Sequence, residues 1–297
     1  MNYSLGLYEK AIPKELFAEG PGGVSSVNSL SRMCGIAAKY GFDRLEISID
    51  ETDERLSRLD WSASKQRELA KACRLNGAPI RTMCLSGHRK YPMGSHDPAV
   101  RDRSMEIMEK AIHFAANANI SLIQLAGYDV YYETGDDATR GWFTENLLKS
   151  AQMAASEGVL LGFETMETPF MDTVKKAMDY VTLIGSPWLG VYPDIGNLQN
   201  AAVLYGHEVT KDLALGDGHI FAIHLKETKP GVYRDMDFGS GGHTRYVDCI
   251  EEALRMGVRL FTGEFWSQPG QDYTKVIPAS SVFLREKIET AAKKLGL

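Results

Sequence analysis

The feature that most constrains the fold of this 297-residue chain is a regular alternation of short apolar runs with longer amphipathic stretches. Eight runs of five to eight residues are rich in leucine or β-branched residues and are apolar at successive positions. This pattern is typical of strands that are buried on both faces of a parallel sheet. The predicted strands cover residues 4–8, 44–49, 80–86, 122–127, 159–166, 189–193, 220–226 and 260–265.

Helical periodicity separates most of these runs. Apolar residues recur at three- and four-residue spacing, which predicts helices, in residues 29–40, 62–76, 97–117, 138–157, 172–184, 246–256 and 273–295. Several of these stretches end near a glycine, as a left-handed C-terminal cap requires. The helix between the sixth and seventh runs is poorly defined and is placed within residues 199–215.

Eight strand–helix units without a proline- or serine-rich linker predict an α/β fold, a single (β/α)8 TIM barrel that forms one domain over residues 1–297. An open, doubly wound sheet is the alternative. That fold would normally carry a glycine-rich phosphate turn after an early strand, and the sequence contains neither GxGxxG nor GxxxxGK[ST].

Charge and cysteine content exclude several classes of protein. The formal net charge is −6, which disfavours binding to nucleic acid. No apolar run approaches the ~18 residues of a membrane span, and residues 1–4 do not resemble a signal peptide, so we expect no membrane attachment. The four cysteines are widely spaced and form no CxxC motif, which predicts reduced, buried thiols and a cytoplasmic protein.

Four polar residues fall at the carboxyl ends of four consecutive predicted strands, where barrel enzymes carry their chemistry. They are Glu164, Asp194, His224 and Glu264. Three carboxylates and one imidazole that converge on one point would repel each other without a cation. We therefore predict one divalent metal ion on these residues, and Mn²⁺, Zn²⁺, Co²⁺ and Mg²⁺ all suit three oxygen ligands and one nitrogen ligand.

Such a metal centre can serve hydrolysis, isomerisation or epimerisation. It suits proton transfer at a carbon next to a ketone, because the cation stabilises the enediolate that forms. Epimerisation at that carbon requires an acid/base group on each face. Glu164 and Glu264 come from the fifth and eighth strands, so we expect them to address opposite faces. Which glutamate serves which face is left open.

A basic loop follows the third strand, with the sequence LSGHRKY at residues 85–91, and it suggests an anionic substrate group such as phosphate. A second basic segment, residues 224–231, follows the seventh strand. Solvent-exposed surface cations would give the same pattern. The residues assigned to substrate binding are Ser86, His88, Arg89, Gln124, Asn197, Lys226 and Lys229.

Several longer segments carry a resemblance that covers nearly the whole chain. The most specific are DETDERLSRLDWS at residues 50–62 and QLAGYDVYY at residues 124–132, and shorter ones are GLYEKA at 6–11, MCLSGHR at 83–89, YPDIGNL at 192–198 and TKPG at 228–231. In these segments the chain resembles the L-ribulose-5-phosphate (L-xylulose-5-phosphate) 3-epimerases of the xylose-isomerase-like barrel superfamily.

This resemblance implies a metal-dependent 3-epimerase that interconverts L-ribulose 5-phosphate and L-xylulose 5-phosphate, or a close ketose phosphate, in an ascorbate-type catabolism. It implies the same four metal ligands and acid/base functions for Glu164 and Glu264. A small-molecule sugar phosphate is then the partner, and a homodimer is expected because barrels of this kind often pair.

Two loops depart from the family pattern. The loop after the first strand, with EGPGGVSS at residues 19–26, is longer, and residues 239–248 read GSGGHTRYVD where the family has a Gly-x-Gly-x-Val-Asp-like turn. The second loop borders the predicted site, so the sugar preference and the functions of His243 and Arg245 are left open.

Four other readings use the same barrel. A sugar isomerase would usually need a second metal or a hydride shift. Free-ketose 3-epimerases carry histidine and arginine where this chain has Asn197 and Pro230. A DNA-repair endonuclease would need three zinc ions, more histidines and a basic groove. A non-catalytic sugar-phosphate-binding barrel would not need two glutamates on opposed strands.

Overall fold

The computed structural model describes residues 1–18 and 23–297, so part of the long loop after the first strand lies outside the described residues. Within them, eight parallel strands form one sheet. The strands are β1 (Ser4–Tyr8), β2 (Arg44–Ser48), β3 (Ile80–Leu85), β4 (Leu122–Leu125), β5 (Leu160–Phe163), β6 (Leu189–Val191), β7 (Ile223–Leu225) and β8 (Leu260–Gly263).

The sheet closes on itself. The strand order is β6-β5-β4-β3-β2-β1-β8-β7. Parallel bridges from Val191 to Ile220 and from Asp194 to His224 then join β6 to β7. This closure confirms the predicted TIM barrel, with every strand in the expected place and slightly shorter ends.

Ten α-helices occur in the described part of the chain. They are α1 (Val27–Lys39), α2 (Asp53–Leu56), α3 (Ala63–Leu75), α4 (Pro98–Ala118), α5 (Asp137–Glu157), α6 (Val174–Ile184), α7 (Ile195–Tyr205), α8 (Val209–Ala214), α9 (Tyr246–Arg255) and α10 (Tyr273–Lys294). The poorly defined region between the sixth and seventh strands therefore contains two helices, and the first begins directly after β6. None of the described helices is long and apolar enough to cross a membrane.

The barrel interior is layered because every second residue of a strand points inward. Leu122, Tyr192 and Ala222 form a small apolar cluster, separate from the main core. The buried side chain of Arg44 belongs to a polar layer inside the barrel. Gly6 is required beside this arginine, since a Cβ atom there would lie 2.5 Å from Arg44 Nη1.

The main apolar core lies between the sheet and the surrounding helices. It includes Leu45, Ile123 and Leu161 from the strands, which are fully buried. All four cysteines are buried and free, as the sequence predicted. This outer core holds the strands in register and thereby fixes the positions of the side chains at their carboxyl ends.

Candidate metal centre and substrate pocket

The structure brings the four predicted metal ligands together. Glu164 and Glu264 directly follow β5 and β8, His224 lies within β7, and Asp194 follows β6. All four are buried. One ligand atom from each residue lies within 4.8 Å of the others. Four consecutive strands thus place three carboxylates and an imidazole around one point.

Asp194 also starts helix α7. Its Oδ1 atom accepts a hydrogen bond of 2.7 Å from the backbone N–H of Asn197, as an N-cap does. Oδ2 is left to face the cluster. Gly196 allows the helix to begin close to the loop after β7, because a Cβ atom there would lie 2.7 Å from Thr228 Cγ2 and 2.8 Å from the Lys226 carbonyl oxygen.

His224 is oriented by contacts to both ring nitrogens. Nε2 lies 2.5 Å from Glu46 Oε1, on the inner side of the barrel. Nδ1 faces the cluster, 3.3 Å from Glu264 Oε2 and 4.0 Å from Glu164 Oε1. Gln124 Nε2 lies 3.2 Å from the same nitrogen. Nδ1 is therefore the nitrogen that could bind a metal ion.

Lys226 makes the environments of the carboxylates unequal. Its Nζ atom lies 3.2 Å from Glu264 Oε2 and 3.4 Å from Asp194 Oδ2. Burial raises the pKa of Glu264, but Lys226 and His224 outweigh it and hold that pKa well below its usual value. Burial and the negative charge of Glu264 raise the pKa of Glu164. Divergent pKa values in one cluster mark a functional site.

The donor set fits a divalent cation. Asp194 Oδ2 and Glu264 Oε2 are buried and make no hydrogen bond within the described residues. Both oxygens lie within ion-pair distance of Lys226 but lack a well-aligned hydrogen bond, and a metal ion would satisfy both. Three oxygens and one imidazole nitrogen suit Mn²⁺, Co²⁺, Zn²⁺ and Mg²⁺. Among residues 1–18 and 23–297 this is the one group found to suit a metal ion, which disfavours a three-zinc endonuclease site.

A cavity opens above this cluster. It is lined by Tyr8, Lys10, Cys84, Ser86, Arg89, Glu164, Met166, Glu167, Asn197, Lys226, Tyr233, Arg234, Glu264 and Trp266. Four residues that the sequence assigned to substrate binding are among them: Ser86, Arg89, Asn197 and Lys226.

The other three assigned residues lie elsewhere. His88 is buried against α4, with Nε2 3.2 Å from the Ser104 carbonyl oxygen, because the short 3-10 helix after β3 turns its ring away from the cavity. Lys229 is exposed and its backbone pairs with Val232. Gln124 lies beneath the cluster beside His224. The assignment of His88 and Lys229 to the substrate pocket is therefore revised.

Several lining residues were not predicted. Tyr8 belongs to the inward alternation of β1 and Trp266 continues that of β8, so the period of two carried a signal for both. Lys10 lies in a 3-10 helix after β1, where that period ends. Tyr233 and Arg234 belong to the loop after β7 and carried no such signal. Arg234 lies 3.6 Å from Glu167 across the cavity.

Lys10 belongs to a buried ionic cluster between β1 and the loop after β2. Glu9 accepts hydrogen bonds from Arg58 at 2.7 Å and from Arg55 at 2.8 Å, and Lys10 pairs with Asp50 at 2.7 Å. Three cations face two carboxylates, so one positive charge is left over. Arg58 is fully buried whereas 24% of the Lys10 side chain is exposed, so Lys10 is the member of this net-positive cluster that reaches the cavity.

Arg89 is the second cation on this side of the cavity. Its guanidinium group lies 5.0 Å from the ring centre of Tyr131 and 6.0 Å from that of Tyr128. The aromatic rings hold the guanidinium group in place at the cavity wall.

The atypical loop at residues 239–248 is attached to the loop after β7. His243 Nε2 lies 3.1 Å from Thr228 Oγ1, and the Thr244 hydroxyl donates to the Lys226 carbonyl oxygen at 3.0 Å. Arg245 pairs with Glu208 at 2.8 Å on the surface. His243 and Arg245 do not line the cavity. They fasten the loop that carries Lys226.

The sheet, the helices and the cluster at the carboxyl ends of β5 to β8 define a class of TIM-barrel proteins. Residues 34–287 match the profile of the family described as xylose isomerase-like TIM barrel. Within it, the chain is 40% identical to L-ribulose-5-phosphate 3-epimerase UlaE of Escherichia coli strain SMS-3-5, over 99% of this chain and 96% of that protein. The chain therefore belongs to the L-ribulose-5-phosphate 3-epimerase family, a family of carbohydrate epimerases.

Further comparisons agree with this membership. The same enzyme of Salmonella heidelberg strain SL476 is 39% identical over 97% of this chain and 95% of that protein. A solved L-ribulose 3-epimerase has a TM-score of 0.77 and 17% identity, with 99% of this chain and 97% of that chain covered. For 3-keto-D-glucoside 4-epimerase YcjR from E. coli the TM-score is 0.74 and the identity 15%, with 96% and 100% covered. At such identities these two structures show the shared fold.

Proposed function

We propose that this protein interconverts L-ribulose 5-phosphate and L-xylulose 5-phosphate by removing and returning the proton at C3. One observation carries the proposal: Glu164 and Glu264 reach the same cluster from β5 and β8. Two carboxylates that approach one carbon from different strands supply an acid/base group for each of its faces. The names of the full-length relatives supply the substrate.

The residues of the cluster have different functions in this reaction. A divalent cation bound by Glu164, Asp194, His224 and Glu264 would polarise the ketone and stabilise the enediolate. One glutamate removes the C3 proton, and the other returns a proton from the opposite face. Asp194 and His224 exchange no proton with the substrate in this scheme, since Asp194 is fixed as an N-cap and His224 by Glu46.

Lys226 supports the ionised state of the base. Its ammonium group is buried among the carboxylates and lines the cavity. In this position it lowers the proton affinity of Glu264, and it can donate a hydrogen bond to a sugar hydroxyl group. Asn197, whose Oδ1 atom has no partner within the described residues, can accept one.

The substrate phosphate is assigned to the opposite side of the cavity. Lys10 follows β1, and Ser86 and Arg89 follow β3, whereas the metal ligands come from β5 to β8. The net positive charge of the cluster that contains Lys10 and the guanidinium group of Arg89 suit a phosphate group. A pentulose 5-phosphate could then place its C2 and C3 atoms at the cluster and its phosphate between these cations.

Solvent exchange tests the reaction directly. L-ribulose 5-phosphate is incubated with the protein in D₂O, and NMR follows both deuterium at C3 and the formation of L-xylulose 5-phosphate. We expect both in the presence of Mn²⁺, Co²⁺, Zn²⁺ or Mg²⁺, and neither after treatment with a chelator. Epimerisation without deuterium incorporation, or exchange that persists fully without metal, would contradict the proposed mechanism.

A cytoplasmic location and a homodimer are part of the same proposal. Four buried free thiols suit a reducing compartment. Leu183, Val203, Leu204 and Leu215, on the neighbouring helices α6 to α8, are each more than half exposed and offer an apolar surface for a second copy. Light scattering of the wild type and Leu204→Glu tests the dimer, and a monomeric wild type would refute it.

A further inference from the structure

Beneath the four predicted ligands lies a carboxylate for which the proposed reaction has no use. Glu46, on β2, is fully buried. Its Oε1 atom lies 2.5 Å from His224 Nε2, and its Oε2 atom accepts a hydrogen bond of 2.7 Å from the hydroxyl group of Tyr192. Two strands thus engage both oxygens, so the carboxylate cannot rotate without losing one of these bonds.

The contacts of Glu46 decide which nitrogen of His224 is left to face the cluster. An ionised carboxylate only accepts hydrogen bonds, so Nε2–H must donate to Glu46. Nδ1, on the other side of the ring, faces the cluster and lies 3.3 Å from Glu264 Oε2. The ring of Tyr192 packs edge-on against the imidazole, with 4.8 Å between ring centres, and restrains its tilt.

We infer that Glu46 is a positioning residue that fixes the Nε2–H tautomer of His224 and so presents the Nδ1 lone pair to the metal ion. This inference rests on the metal-binding function proposed above. Partner carboxylates of this kind raise the basicity of a histidine ligand and fix its ring. Loss of such a partner typically weakens metal affinity by about 10- to 100-fold.

The polar layer around Glu46 holds the carboxylate in its ionised form. Arg44, two residues earlier on the same inward face of β2, donates to Thr82 Oγ1 and to the Phe261 carbonyl oxygen, each at 2.9 Å. The positive charge of Arg44 offsets the negative charge of Glu46 inside the barrel. The Tyr192 hydroxyl group also lies 2.6 Å from Thr262 Oγ1, which keeps it in place.

Two substitutions separate the charge of Glu46 from its geometry. In Glu46→Gln one acceptor oxygen is replaced by a donor. If the remaining oxygen stays with Tyr192, the amide N–H group faces His224 Nε2 and favours the Nδ1–H tautomer. Glu46→Asp keeps the charge beside Arg44 but shortens the side chain, so it lengthens the contact with His224. Thr262→Val is the matched control, because it perturbs the same layer and leaves the contact between Glu46 and His224 in place.

Two measurements on each purified protein test the inference. The Kd for Co²⁺ is measured by competition titration, and the protonation of His224 Nε2 is read from ¹⁵N shifts of the metal-free, histidine-labelled protein. We expect both Glu46 variants to bind Co²⁺ about 10- to 100-fold more weakly. We further expect Glu46→Gln to lose the protonated Nε2 signal of His224 that the wild type and Thr262→Val show.

The outcomes distinguish this inference from the proposed function. If both Glu46 variants keep the wild-type Kd and the wild-type ¹⁵N shifts, the positioning function is refuted. An equal loss of Co²⁺ affinity in Thr262→Val would also refute it, since the effect would then reflect a general disturbance of the layer. If the wild type itself binds no Co²⁺, the metal centre fails, and the ¹⁵N shifts of the metal-free protein still decide which tautomer Glu46 selects.

Discussion

Glu164 and Glu264 have the same carboxylate group but different neighbours in the cluster. Glu264 lies next to the Lys226 ammonium group and to His224, whereas Glu164 has only the longer contact with His224. The two glutamates therefore have different proton affinities, in the directions that the pKa shifts show. At this scale the reaction depends on which carboxylate carries a proton and on which cations hold the phosphate.

Glu264→Gln should abolish deuterium exchange at C3, because an amide at this position cannot accept the proton. We expect exchange to fall by at least the ~100-fold that loss of an acid/base group typically costs. Glu167→Gln is the matched control, since Glu167 lines the same cavity but contacts Tyr128 and Arg234 instead of the cluster. Full exchange in Glu264→Gln, measured by NMR in D₂O, would rule out Glu264 as an acid/base group.

Arg89→Ala should weaken the binding of phosphorylated sugars selectively. Loss of a hydrogen bond to a charged group costs about 1.5–3 kcal/mol, which corresponds to a rise in KM of roughly 10- to 100-fold. The KM for the unphosphorylated pentulose should change far less. The neighbouring Lys90 does not line the cavity, so Lys90→Ala serves as the control. Equal effects of Arg89→Ala on both sugars would remove the phosphate assignment.

The strands of the barrel place side chains in the site because inward-facing and outward-facing residues alternate along each strand. The sequence predicted the four metal ligands because each stands at or next to the end of an apolar run. It did not single out Glu46, although Glu46 falls on the inward face with Arg44 and Ser48, since apolar runs reveal strands but not the partners of buried polar groups. The deviation of His88 arises from a 3-10 turn that periodicity cannot show.

The ionic cluster after β1 and β2 should make stability depend on pH. Burial raises the pKa of Glu9, but Arg58 and Arg55 lower it from an ordinary value of 4.5 to about 2. A depressed folded-state pKa stabilises the protein above about pH 4.5, and this contribution is lost as the pH falls towards 2. We expect a loss of about 3 kcal/mol over this range.

Glu9→Gln tests this contribution. The variant should be less stable by about 3–5 kcal/mol at pH 7, because buried arginines lose their partner. The part of the acid-induced loss that Glu9 causes should also disappear. Glu15→Gln, on the exposed segment that follows, should behave as the wild type. The free energy of unfolding from urea titrations between pH 2 and 7 measures both effects, and an unchanged pH profile in Glu9→Gln would contradict the prediction.

Gly196→Ala should displace the start of α7, because the added Cβ atom would meet Thr228 and the Lys226 carbonyl oxygen. Overpacking of this kind costs about 1–3 kcal/mol. Gly141→Ala in α5, where a Cβ atom meets nothing within 4 Å, should instead stabilise the protein by about 0.5–1 kcal/mol. Urea unfolding of both variants measures the difference, and equal stabilities would show that the close approach at Gly196 has no energetic importance.

At the scale of the whole molecule, the cluster brings together side chains from the four strands β5 to β8 in the carboxyl-terminal half of the chain. That residues 1–297 form one domain stays a prediction from the sequence. The strand order, the closure between β6 and β7 and the position of the site at the carboxyl ends of the strands followed from the alternating pattern. The part of the cavity wall that the loop after β7 forms could not be predicted from this pattern, because loops lack periodicity.

Metal binding should stabilise the entire barrel against heat. A ligand at 100 times its Kd contributes about 2.7 kcal/mol. For a chain of this size this corresponds to a rise in Tm of roughly 4 °C. We expect Zn²⁺ or Co²⁺ to raise the Tm of the chelator-treated protein, and to raise that of Asp194→Asn much less. A Tm that does not depend on metal would argue against the centre.

The contact between Gly6 and Arg44 links two positions on neighbouring strands that are far apart in the chain. Because the arginine occupies the space where a Cβ atom of residue 6 would lie, neither position can change freely without the other. Among relatives of this protein, a larger residue at position 6 should therefore be accompanied by a smaller one at position 44. Engineering of the metal centre from beneath would have to treat the two residues as a single covarying unit.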